Sequence, residues 1–387
     1  MNLRRPAVMG NLIFFLFASV SSAQFVQHTI STDLPGGYQV VAADMNRDHR
    51  PDLIAVSTDS TELVWFENPR WEKHVIARGL ARMINVAAWD VDGDGTPELA
   101  LAHEFDGNAR QSTGIVSLLH HNGDPRQPWT VREIDRLPTS HRLRWADIDG
   151  SGHKVLVNAP LTGLKASPPN YEDSVSLVFY RPGDWKRQII SDKEMGVMHG
   201  LLVYDWEGNG REDVLTGSFL GIHLHRYISG GTWTRTELTR GDPSPSPKCG
   251  TSDLAVGHLQ GERFLAAIEP WHGNQVVVYR NVQAQCQRNV IDDSLVDGHT
   301  IATVDLNGDG RDEIVAGMRG DGYKVYIYGS TDRSGRTWER GELDDGDMAA
   351  ASCVALDLAG HGRMDIVCIG SATHNLKWYE NVSPMKK

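Results

Sequence analysis

The sequence predicts an all-β chain folded as a seven-bladed β-propeller of four-stranded blades. Three observations carry this reading. The chain repeats itself about every 50 residues; each repeat holds four short strand signals; and an N-terminal segment supplies the one strand that the last repeat lacks.

The repeat is marked by an Asp that ends an apolar strand and opens a polar turn. It recurs at Asp44, Asp90, Asp147, Asp205, Asp305 and Asp357, and Gly257 holds the equivalent place in a degenerate copy. Repeats close on W-x-x-x-x-I/L, at Trp71 to Ile76, Trp129 to Ile134, Trp185 to Ile190, Trp233 to Leu238 and Trp338 to Leu343. Cys286 to Ile291 follows the pattern with Cys in place of Trp. Repeat two shows the strands most clearly: Asn85 to Trp89, Glu98 to Ala102, Gly114 to Leu119 and Trp129 to Ile134. These are short runs rich in β-branched and aromatic residues, separated by Gly-containing turns. The last repeat ends after its third strand, Leu376 to Asn381, which mirrors Leu63 to Asn68 of the first. Phe25 to Ile30 fits the fourth-strand pattern, so it completes the last blade and leaves no open edge at the seam.

The 387 residues suit one ring. Arg4 and Arg5, the apolar run Leu12 to Val20 and the small residues Ser21-Ser22-Ala23 predict a signal peptide over 1–23, with the propeller over 24–387. The expected location is therefore extracellular, or periplasmic in a bacterium. The apolar run is too short to span a bilayer, and no later stretch reads as transmembrane. A formal net charge of −12 repels phosphate backbones and argues against nucleic acid as a partner. Four cysteines allow two disulfides in a secreted chain, with three connectivities. Cys353 and Cys368 fall on neighbouring strands and form the favoured pair; four free thiols are the alternative. Asn381-Val382-Ser383 is a glycosylation sequon that matters only in a eukaryotic host.

Two turns carry a full set of oxygens at loop positions one, three, five and nine: Asp90, Asp92, Asp94, Glu98 and Asp305, Asn307, Asp309, Glu313. Alternating carboxylates on a tight Gly-containing turn supply most of the hard oxygen ligands that Ca2+ requires. Asp44, Asn46, Asp48, Asp52 and Asp205, Glu207, Asn209, Asp213 form two further copies, while the Asp147 and Asp357 turns are degraded. The expected role is structural, and a metal-free Asx turn is the alternative. Motif and repeat length resemble the FG-GAP/VCBS repeat family over essentially the whole mature chain. That resemblance implies a fold rather than a function.

The turns with the acids occupy one face of such a ring. The loops entering first strands and those following second strands occupy the other, around the mouth of the central channel. Histidines fall at these edges: Ser140-His141-Arg142, Met198-His199-Gly200, Asp297-Gly298-His299, His103-Glu104 and Glu269-Pro270-Trp271-His272, with Arg319 in a further loop and Tyr171 in the loop Lys165 to Asp173. Histidines from separate blades can converge on one Zn2+ or another divalent metal, which takes about three protein ligands in a catalytic site. No local H-E-x-x-H or C-x-x-C motif accompanies them, so this expectation rests on topology. A set of polar channel residues bridged by water is the alternative.

The segments around His199-Gly200, Glu269-Pro270-Trp271-His272 and Asp297-Gly298-His299 are similar to the propeller domain of the aldos-2-ulose dehydratase family, and propeller polysaccharide lyases use His, Tyr and Arg in comparable places. The resemblance implies elimination chemistry on keto-sugars or uronate-type glycans. The expected metal ligands are His199, Glu269, His272 and His299. His103 and His141 are expected as proton carriers, Arg319 as stabiliser of the enolate, and Tyr171 as an overhanging group. The competing function is a non-catalytic glycan-binding or adhesion propeller; a scaffold for another secreted protein is the third.

Overall fold

The computed structural model describes residues 23–281 and 286–384. The signal-peptide reading thus falls, except for Ala23, outside the described residues. Seven antiparallel four-stranded sheets stand around a central channel. Blade 1 runs from Gly37 to Arg78, blade 2 from Asn85 to Arg136, blade 3 from Ser140 to Met195 and blade 4 from Met198 to Thr239. Blade 5 spans Asp253 to Asp292, blade 6 Gly298 to Asp345, and blade 7 Ala350 to Asn381. The strand Phe25–Ser31 pairs with Leu376–Asn381 and completes blade 7, as the pattern predicted. Among the described residues no helix is long and apolar enough to cross a membrane.

The second strand of each blade is the driest. Leu53 to Val56, Leu99 to Ala102 and Ile366 to Ile369 are fully buried, because both faces of a blade pack against neighbours. Cys353 and Cys368 lie directly opposite one another on the first two strands of blade 7 and are bonded; Cys249 and Cys286 are free.

A second device ties the blades together. Tyr180, Tyr328 and Tyr379 hold the same place on third strands, opposite the second residue of strand two. Each donates its hydroxyl to an acid at the end of the preceding blade's fourth strand: Tyr180 to Asp135 at 2.6 Å, Tyr328 to Asp292 at 2.8 Å and Tyr379 to Asp344 at 2.7 Å. A cation closes each latch, namely Arg187, Arg340 and Lys377. Burying a charge this deeply is tolerated only with partners of this kind.

The acidic turns lie together on one face. The first Asp of each is a hub for backbone amides: Asp90 accepts from Gly93, Asp94 and Gly95, and Asp305 from Gly308, Asp309 and Gly310. Gly93 and Gly95 have φ of 79° and 92°, the left-handed region where glycine is unstrained. The acid at loop position nine caps the turn from behind, Glu98 on the Val91 amide and Glu313 on the Leu306 amide.

Candidate functional site

The opposite face gathers the reactive groups, and a backbone irregularity repeated around the ring explains how. In five blades the first strand slips by one residue against the second. The residues left unpaired by the slip are Tyr38, His141, His199, His299 and Ala351. A β-bulge re-aims the extra residue. Here it turns side chains from blades 1, 3, 4 and 6 into one packed group at the head of the channel. Blades 2 and 5 keep regular pairing at this point and offer Asn85 and Asp253.

The His199 ring lies 4.9 Å from that of His141, 4.9 Å from that of His299 and 5.0 Å from that of His272. His272 arrives from the loop after the second strand of blade 5, on a left-handed backbone with φ of 47°. A ligating nitrogen of each of His199, His272 and His299 lies within 4.8 Å of the others. Tyr38 bridges the group, its hydroxyl 2.8 Å from His141 Nε2 and 3.4 Å from His299 Nε2. His299 Nδ1 donates to the carbonyl of the bulged Ala351 at 2.6 Å, which fixes the tautomer and directs the Nε2 lone pair inward. Asp297 Oδ1, buried and without a hydrogen bond among the described residues, faces His272 Nδ1 at 3.5 Å.

Two guanidiniums flank the rings. Arg142 stands over the Tyr38 ring and donates to the His199 carbonyl at 3.3 Å. Arg319 is held by Asp297 at 2.8 Å and brings Nη2 to 3.2 Å from His272 Nδ1. Burial pushes His141, His199, His272 and His299 all well below the ordinary histidine value. Arg142 acts in the same direction on all four, and Arg319 on His141, His272 and His299. These imidazoles are therefore neutral across the physiological range, the form that binds a metal or takes up a proton. The donor set fits a divalent ion such as Zn2+.

Two expected members stand elsewhere, and both occupy the last position of a second strand. Glu269 was expected among the ligands; its carboxylate instead accepts from Thr251 at 2.9 Å, Tyr279 at 2.5 Å and Arg288 at 3.0 Å. The latch scheme supplies the reason. The fourth strand of blade 4 brings Thr239 to the place where other blades bring an acid, opposite Ile222. Glu269 therefore supplies the missing carboxylate for Tyr279 from within blade 5. His103, expected to carry protons, is buried beside the third strand of its own blade, 2.9 Å from Ser117 Oγ, and shares no ring contact with the group. Tyr171 packs edge-on to Trp271 at 5.3 Å, and Trp271 lies against His272 at 4.7 Å, so Tyr171 is a wall of the funnel one layer out.

Sequence reasoning missed Tyr38 as a member and gave Arg142 no role. The signal was present: Tyr38, His141, His199 and His299 each stand six residues before the turn Asp of their repeat.

On the acidic face, the carboxylates of Asp90, Asp92 and Asp94 meet within 4.8 Å. In the Asp205 loop, Arg226 already reaches both Glu207 and Asp213. The Asp44 loop places Arg47 and His49 at left-handed positions, φ 65° for each, where other copies use glycine.

Residues 113–282 match the family model of the aldos-2-ulose dehydratase β-propeller domain, and residues 44–101 match that of an FG-GAP-like repeat. Aldos-2-ulose dehydratase of Phanerodontia chrysosporium is 26% identical over 236 residues, covering 54% of this chain. The match spans about a quarter of that relative, 26% of its length. Among solved structures, virginiamycin B lyase from Staphylococcus aureus superposes with a TM-score of 0.57 at 10% identity, covering 92% of this chain and 99% of that one. An Agrocybe aegerita lectin specific for non-reducing terminal N-acetylglucosamine gives 0.54 at 14%, covering 85% and 89%. Both of these show the fold alone. The chain is a seven-bladed propeller that matches an FG-GAP-like repeat over residues 44–101 and is similar, over residues 113–282, to the propeller domain of aldos-2-ulose dehydratase.

Proposed function

We propose that this protein is a secreted carbohydrate-active lyase or dehydratase, catalysing β-elimination on a keto-sugar or uronate-type glycan in the funnel. One observation carries the reading: three neutral histidines from blades 4, 5 and 6 converge within 4.8 Å beside a fourth, between two guanidiniums. The stretch similar to the dehydratase propeller, 113–282, contains His141, Arg142, His199 and His272.

In the elimination a base takes the proton α to a carbonyl, the carbon–hydrogen pair becomes the new double bond, and the β-oxygen leaves with its electrons and is protonated. His141 is the base of choice by position, hydrogen-bonded to Tyr38 beside the three converging rings. The Tyr38 hydroxyl, lying between two imidazoles, is placed to pass a proton to the leaving group. Arg142 and Arg319 offer donors to the developing enolate oxygen. A divalent metal on His199, His272 and His299 would supply Lewis-acid stabilisation of that same charge. On the other face, Ca2+ held by the Asp90 and Asp305 loops would brace the blades, and the leader over 1–23 would direct export.

Elimination yields a conjugated enone or an unsaturated uronate, both of which absorb in the ultraviolet. Keto-sugars, 3-keto-glycosides and uronate polysaccharides are the substrates to assay. His299→Ala is expected to abolish the absorbance growth while leaving the fold intact. Activity that survives verified metal removal but not His299→Ala would keep the acid–base histidine and reject the metal. Inert substrates together with binding on a glycan array would replace the enzyme with a binding module.

A further inference from the structure

Beneath the ring group the channel widens into a cavity of about 780 Å3 that reaches the acidic-turn face, where Pro51 and Lys154 stand at its mouth. Its walls are mostly apolar, from residues such as Leu143, Leu254 and Ile301, yet Arg142 and Arg144 both line it. They are two apart on one strand and so project to the same side.

Neither guanidinium has an ion-pair partner among the described residues, although every latch cation of the seams has one. Arg144 spends Nη1 on Asn85 Oδ1 at 3.3 Å and the Leu143 carbonyl at 2.8 Å; no hydrogen bond engages its Nε or Nη2. Arg142 leaves Nη1 free in the same way. Among the described residues Asp253 is the one carboxylate on the cavity wall, and burial pushes its pKa up. Burial, with repulsion from Arg142, brings Arg144 down to about 10, whereas the ion-paired Arg187, Arg288 and Arg340 are shifted upward. Two cations, Arg142 buried and Arg144 half-buried, face one cavity against a single carboxylate, which makes an anion site. The aromatic side chains are asymmetric: Trp89, Trp145 and Tyr204 line the blade 2–4 side, while Ala302, Ala355 and Leu356 line the other. Trp89 and Tyr204 are half-buried on that wall, with the Lys154 ammonium 4.8 Å from the centre of the Trp89 ring.

We propose that this cavity is a second ligand site, adjoining the funnel at Arg142, which takes a sugar acid. Its carboxylate lies between Arg142 and Arg144, and its ring rests on the aromatic wall of Trp89 and Tyr204. Arg–carboxylate pairing supplies selectivity for the anion, and the aromatic face suits the apolar side of a pyranose. Arg144, Trp89 and Tyr204 take no part in the funnel chemistry, so binding here is read apart from catalysis.

The test is calorimetric titration of the intact protein, in calcium-containing buffer, with D-glucuronate, D-glucose and acetate. Saturable glucuronate binding that acetate displaces is expected, with no binding of glucose. Arg144→Met should weaken glucuronate about tenfold or more, the weight of a charge-assisted pair. Arg144→Lys keeps the charge and should fall between the two, which preserves the test if the Met variant folds poorly. Trp89→Ala should weaken glucuronate and leave acetate unchanged. Absence of saturable glucuronate binding, equal binding of glucose, or undiminished affinity in a folded Arg144→Met variant would each overturn the proposal.

Discussion

His299 and Glu269 stand at the same edge of neighbouring blades, both fully buried and both ionisable, and they end in opposite circumstances. Glu269 has a donor on each oxygen and is shared among Thr251, Tyr279 and Arg288. His299 spends one nitrogen on a carbonyl and aims the other at two imidazoles and a phenol, none of which satisfies it fully. A buried polar group with every partner in place stabilises the fold. A set of like, neutral bases crowded together stabilises little by itself and keeps its lone pairs for something else. The distinction comes from one residue of register, because the bulge frees the first-strand position from its blade while the second-strand end stays in the seam.

The comparison breaks first on stability. Glu269→Ala leaves Arg288 and the Tyr279 hydroxyl without their acceptor, and it should cost about 3 kcal/mol in urea unfolding. His299→Ala removes the bond to the Ala351 carbonyl and the long contact to the Tyr38 hydroxyl and should cost about 1.5 kcal/mol. Equal costs, or a larger one for His299, would mean that the funnel rings belong to the structural framework.

Metal removal sharpens it next, by separating the two faces. Calcium on the acidic turns, binding the native state alone, would add about 2.7 kcal/mol at a hundredfold excess over Kd. Chelation should therefore lower the melting temperature and calcium should restore it. That shift is expected to persist in His299→Ala and to shrink in Asp92→Ala. A demonstrably metal-free sample that melts at the same temperature would remove calcium from the acidic face.

The smallest effect concerns the seam between blades 3 and 4, where His225 takes the place that Tyr holds in other latches and Glu194 takes that of Asp. Burial holds the neighbouring His223 down at about 4 against an ordinary 6.5. For Glu194, burial acts upward but is outweighed by His225 and Arg235, which hold it at about 2. The unfolded chain takes up both protons at higher pH than the folded one does. The His223 contribution is thus complete above about 6.5 and is lost as pH falls toward 4, and that of Glu194 is lost from about 4.5 toward 2. His223→Gln should flatten the melting profile between pH 6.5 and 4. An unchanged slope in that window would assign the acid sensitivity to the funnel histidines, which titrate in the same direction.

Much of this was legible beforehand, because the signals are local. The turn Asp, the W-x-x-x-x-I/L strand and the stray N-terminal strand each depend on a few consecutive residues, and their period alone counts the blades. The Cys353–Cys368 pair was legible for the same reason, as two adjacent strands of one hairpin. The face that carries the histidines follows from the order of strands within a blade.

Which edge residues meet was decided only by the closed ring. Tyr38 and His141 are 103 residues apart and Tyr38 and His299 are 261 apart, so their contacts exist only once blade 1 and blade 7 have sealed. A bulge is a mismatch between two strands and has no residue type of its own, so Gly37-Tyr38-Gln39 looks ordinary until its pairing with Val56 and Ser57 is known. The displacement of Glu269 follows from Thr239 in the preceding blade, where a latch acid is missing and the nearest carboxylate takes its place. Periodicity and turn chemistry act along the chain and can be read from it. The direction of a side chain at a blade edge answers to its neighbours in space, and the tertiary structure alone supplies those.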